Sequence, residues 1–120
     1  MYALAVPLKP DKVEAWKSWV RELTGARREE FEAFSERMGL TFMQAWLTQT
    51  PDGWIGTGVF DGPGAEDFLQ KLASSQEPFD KWFREHTNEY HTADFSKPDT
   101  APRSEIYLDW HAPSYAEARQ

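Results

Sequence analysis

Apolar and polar positions change period several times along the chain, and each change marks an element. Tyr2 to Leu8 is a short, nearly unbroken apolar run closed by Lys9-Pro10-Asp11. Such a run reads as a buried strand followed by a helix start, where proline lacks only an N–H that would be unpaired and an acid meets the positive end of the dipole. From Val13 the period lengthens. Val13, Trp16, Val20, Leu23, Arg27, Phe31, Phe34 and Met38 follow at steps of three and four, which predicts one helical stripe. Gly25 either bends this helix or divides it in two, and Gly39 ends it as a left-handed cap. Trp19 falls beside the stripe, which predicts an exposed ring suited to a contact between subunits.

Leu40 to Gln49 and Trp54 to Asp61 are β-prone runs on either side of Thr50-Pro51-Asp52-Gly53, a turn sequence that predicts a β-hairpin. Gly56 and Gly58 share the face of Trp54 and Phe60 and make room for a bulge or a close neighbour. After Gly62-Pro63-Gly64, the residues Ala65, Phe68, Leu69 and Leu72 form a second helical stripe. Pro78 restarts the helix, and Phe79, Trp82, Phe83, His86 and Tyr90 line one face of it. Thr92 to Ser104 is a polar loop, Glu105 to His111 reads as a last strand, and residues 112–120 read as a mobile tail.

The order is therefore β-α-β-β-α-β, which predicts an α+β domain over residues 1–111 of ferredoxin-like type. Its four-stranded antiparallel sheet would carry helices on one face. Alternation along the strands leaves apolar groups on both faces: Phe42 and Trp46 oppose Met43, Ala45 and Leu47, and Ile55 and Val59 oppose Trp54 and Phe60. One helical layer covers one face, so a second copy is the simplest cover for the other, and a homodimer is expected.

Composition narrows the function. The 120 residues carry a formal net charge of −7 and include six Trp and no Cys. An acidic surface disfavours nucleic acid and anionic lipid, so neither nucleic acid nor membrane is an expected partner. Without cysteine there are no disulfides and no thiolate chemistry. The apolar N-terminus has no basic leader or cleavage site, which leaves a cytoplasmic location as the expectation. No HExxH, CxxC, P-loop, GxGxxG or GxSxG pattern occurs, and no cofactor or metal is expected. His86 and His91, five apart, fall on different sides of a helix, so the nearby Glu85 and Glu89 do not complete a ligand set with both.

The stretches VPLKPDKVEAWKSWVRELTGARREE and EPFDKWFREHTNEYH, with a hairpin between them, resemble the dimeric α+β barrel superfamily of antibiotic-biosynthesis-monooxygenase type over roughly residues 2–111. Within it the chain is most similar to a family of short bacterial proteins of unassigned function. The resemblance implies a dimer of ferredoxin-like units. The superfamily holds cofactor-free monooxygenases, haem-degrading enzymes and non-catalytic members, so fold does not carry function here. Its haem-degrading members use a helix histidine, a tryptophan and a first-strand asparagine. His86 and Trp82 match the first two in type, but Tyr2 to Leu8 holds no asparagine, a departure that weighs against haem degradation.

Among candidate site residues, His86 stands on an apolar stripe beside Trp82 and Tyr90, where it serves either as a base near neutral pH or as a satisfied boundary histidine. Arg27 interrupts the first stripe; it closes an anion-binding pocket, or snorkels, or pairs with an acid such as Glu30 or Glu105. Asp109 and His111 share one face of the last strand, as a carboxylate–imidazole pair or as a wet polar edge. The expected function is binding of a small aromatic or hydrophobic molecule between sheet and helices. Trp82, Tyr90, Arg27, Asp109 and His111 are the expected ligand-binding residues; the alternatives are a cofactor-free monooxygenase-like enzyme with His86 as its catalytic residue, and a non-catalytic structural or interaction dimer. Enzyme status stays open.

Overall fold

The computed structural model describes residues 1–114. The elements are β1 (Tyr2–Pro7), α1 (Val13–Thr24), α2 (Arg28–Met38), β2 (Phe42–Thr50), β3 (Gly53–Asp61), α3 (Phe68–Ser74) and α4 (Pro78–Tyr90), with 3₁₀ turns at Ala65–Asp67 and Pro98–Thr100. They form an α+β domain with a three-stranded antiparallel sheet in the order β1-β3-β2. The expected tail lies for its greater part, residues 115–120, outside the described residues.

The hairpin follows from its turn. Thr50 Oγ1 donates to the Gly53 carbonyl at 2.8 Å and accepts from the Asp52 N–H at 3.2 Å. Gly53 sits at φ 127°, a conformation that costs glycine little. Register runs from Thr50↔Gly53 to Phe42↔Asp61, and β1 pairs the other edge of β3 from Pro7↔Ile55 to Tyr2↔Phe60. Leu4, Val6, Phe60, Met43 and Leu47 therefore share the inner face. Phe42, Trp46, Ile55 and Val59 share the outer one.

The first long stripe becomes two helices, divided at Gly25-Ala26-Arg27. Gly39 closes α2 in the left-handed region at φ 70°, and its carbonyl accepts the Gly64 N–H at 2.9 Å. A Cβ on Gly64 would stand 2.0 Å from the Met38 carbonyl oxygen, so that crossing needs glycine. Arg84 of α4 donates to the Leu72, Ala73 and Ser75 carbonyls and so satisfies the C-terminal end of α3. The helices close over Phe34, which is fully buried and packs against Phe68, Phe79 and Phe83. Beside it, Arg37 forms a two-point ion pair with Asp80, which is 1% exposed and also accepts the Ser75 hydroxyl at 2.6 Å.

Two expectations change. Trp19 is buried, not exposed, because α1 packs on α4 as well as on the sheet and so buries a wider face than one stripe. Its ring lies 5.0 Å from that of Phe83 and 5.6 Å from that of Tyr90. The last strand over Glu105–His111 does not form. A strand exists only through a neighbour that takes up its N–H and C=O groups, and the three-stranded sheet does not take up this segment. Ile106, Tyr107, Leu108 and Trp110 stand exposed along it. The edge of β1 is met instead near its end by the residues after α4. Lys9 donates to the Tyr90 carbonyl at 2.9 Å, and Thr92 donates to the Pro7 carbonyl at 3.0 Å.

Candidate functional site

Three small residues set the site. On the inner face, Ala45 of β2 stands opposite Gly58 of β3, and Leu47 stands opposite Gly56. Large side chains there would fill the gap between sheet and helices; these leave a cavity of about 180 Å³. The glycines also admit close neighbours. A Cβ on Gly56 would stand 2.9 Å from Leu8 Cδ1 and 3.1 Å from His91 Nε2, and one on Gly58 would stand 2.7 Å from the Phe60 ring, which folds back along its own strand. Trp16, Trp19 and Leu23 of α1, Leu72 of α3 and Phe83 of α4 form much of the opposite wall. Met43, Gln44 and Ala45 line the cavity from the edge strand β2 while staying partly or fully exposed, so its mouth lies along β2.

The lining is apolar apart from a few groups, and His91 is its one titratable side chain. His91 is 8% exposed. Its Nδ1 lies 2.9 Å from the Thr87 carbonyl. A carbonyl only accepts, so Nδ1 carries the proton and Nε2 presents a lone pair. Burial pushes the imidazole pKa below its ordinary value, against a smaller opposite effect of the Thr87 hydrogen bond, and so favours the neutral ring. Thr87 Oγ1 is engaged, donating to the Arg84 carbonyl at 2.7 Å. The indole N–H of Trp19 is buried and has no hydrogen-bond partner among the described residues.

The residues singled out from the sequence gather elsewhere. His86 stacks on Trp19 with ring centroids 6.3 Å apart, lies 4.5 Å from the Trp82 ring and 5.9 Å from that of Tyr90. Its Nδ1 bonds the Trp82 carbonyl at 2.8 Å. Arg27 caps this row, with its guanidinium 4.2 Å from the Trp82 ring centroid and ion pairs to Glu22 at 2.8 Å and Glu30 at 3.2 Å. Thus Arg27, Trp82, His86 and Tyr90 do come together, on the seam between α1 and α4, and none of the four lines the cavity. Burial raises the Tyr90 phenol above its ordinary pKa, with Glu89 and Glu22 adding to the effect. Asp109 and His111 form an exposed pair at 3.3 Å within the last segment.

Sequence reasoning weighed His91 only as a metal ligand and passed over Thr87, because neither is apolar at a stripe position. The signal that points to His91 is Gly56, a glycine on an inward strand face that makes room for it.

No family model matches the chain, and no similar protein emerges among curated sequences or solved structures. No helix of the described residues is long and apolar enough to cross a membrane.

Proposed function

We propose that this chain binds a small hydrophobic or aromatic molecule in the cavity between its sheet and helices. The observation that carries the reading is the cavity itself: about 180 Å³, walled by aliphatic and aromatic side chains, with a mouth on β2. A dry apolar cavity of about 150 Å³ is enough to take up benzene, so one monocyclic ring fits. Binding is favoured over turnover because His91 is the only titratable group in the lining and no acid faces it there. Tryptophan fluorescence tests the reading, since Trp16 and Trp19 form part of the wall. A panel of neutral monocyclic aromatics should perturb the emission of the natural protein in a saturable way. Ala45→Trp, which plugs the mouth at an exposed position, should abolish the effect while the circular dichroism stays unchanged. An unaltered response in the variant would remove the cavity from the reading.

The unit that binds is, on this reading, a homodimer of ferredoxin-like protomers. Support comes from apolar surface left outside the core: Phe42 and Trp46 on the outer sheet face are 39% and 58% exposed, and Ile106, Leu108 and Trp110 are 63%, 86% and 73% exposed. In the observed sheet β1 and β2 run parallel with β3 between them. An equivalent β3-helix-strand unit would place a fourth strand on the free edge of β1, which residues 105–111 are suited to fill in the assembled dimer. Light scattering at micromolar concentration should return twice 13.9 kDa; a monomer mass would refute the dimer.

A further inference from the structure

We infer that the cavity's ligand is a neutral hydrophobic molecule bearing a hydroxyl group, phenol-like in chemistry, with its O–H donated to His91 Nε2. This rests on the proposed binding function and names the class of ligand that function serves. One polar atom with a free lone pair in an otherwise apolar wall carries the inference. His91 presents a lone pair at Nε2, because Nδ1–H is held by the Thr87 carbonyl. Trp19 lies in the same wall, but its unpartnered N–H is closed off from the open space. Both side chains line the same cavity and both are at least nine-tenths buried. Buried polar groups without partners are costly, and structures seldom retain them without a use. A hydroxyl is the smallest uncharged group that can donate a hydrogen bond to that lone pair.

Charge excludes the neighbouring classes. Neither Lys nor Arg lines the cavity, so a carboxylate or phosphate would enter without a counter-charge. Neither Asp nor Glu lines it, so an ammonium group fares no better. Gln44 and Thr57 border the cavity from the strands, but register turns their side chains to the outer face, and the hydroxyl proton of Thr87 is already committed. Size excludes large polycyclic ligands, since about 180 Å³ takes one ring with a short substituent.

Calorimetric titration with p-cresol and with toluene tests this, because the two differ by a hydroxyl at nearly constant shape. The natural protein should bind p-cresol about tenfold more tightly than toluene, the factor of one net hydrogen bond. His91→Leu should bind toluene as before and lose that preference. In parallel, the His91 Nε2 resonance of isotope-labelled natural protein should move with p-cresol and stay in place with toluene, which reads out the contact even if the variant does not fold. Equal affinity for the two ligands, or an unmoved Nε2 resonance, would overturn the hydroxyl assignment and leave the cavity reading intact. Failure of both ligands to bind would overturn the two together.

Discussion

The helical layer meets the sheet in two different ways. Around Phe34, four phenylalanine rings pack together beside the Arg37–Asp80 ion pair, and two of them, Phe68 and Phe83, continue into the wall of the hollow. Over β2, Ala45, Gly56 and Gly58 meet the same layer with almost no side chain, and a hollow results. The filled region is packed by large helix side chains, the hollow lies where the strands supply almost none, and the difference teaches that one region carries stability while the other is free to carry a ligand. Interiors are normally packed to crystal density, so a hollow of this size marks a place where packing has been given up.

Perturbations of the two regions should therefore rank in order. Phe34→Ala removes a ring with no exposed surface in the filled region and should cost about 3–5 kcal/mol in urea unfolding. A cost below about 1 kcal/mol would mean the filled region is itself loose. Arg37→Ala leaves the Asp80 carboxylate buried without its cation and should cost about 3 kcal/mol. Asp80→Asn should cost less, because the Arg37 left behind is more than one-third exposed and can turn to water. At the hollow, Ala45→Trp should change stability by less than about 1 kcal/mol, since its side chain enters open space. A loss as large as that of Phe34→Ala would show that the hollow is part of the rigid core.

The smallest effect concerns pH. Burial lowers the pKa of His91 in the folded chain, while in the unfolded chain it titrates near 6.5. As pH falls below that value the unfolded state takes up the proton first, so His91 makes the fold less stable, until the pH drops beneath the folded pKa. The slope from this one group reaches at most about 1.4 kcal/mol per pH unit. Unfolding free energies between pH 7 and pH 5 should show it, and His91→Leu should flatten that part of the profile.

Much of the fold was legible in the sequence, and the reasons are local. Pro51-Asp52-Gly53 announced the hairpin because turn geometry is set by a few residues. Gly25 stood where α1 and α2 part, and Ala65, Phe68, Leu69 and Leu72 are all buried as their spacing predicts. Trp19 was misplaced because periodicity locates the centre of a buried face and not its width, which depends on how many elements pack there. The segment 105–111 has the alternation of a strand, but a strand is made by its neighbour, and the sheet does not take this segment up. For the site, composition and spacing brought Arg27, Trp82, His86 and Tyr90 to one seam. The hollow lay beyond reach, since it depends on Ala45 and Gly58 coming opposite each other in register, and register is a tertiary property.

Crystals pressurised with xenon would test most directly whether the hollow is an open binding site, since the gas enters dry apolar cavities and needs no polar partner. Bound xenon against Phe83, Leu72 and Gly58 is the expected result. A structure with no xenon there, and with side chains of β2 or α1 folded into the space, would contradict it.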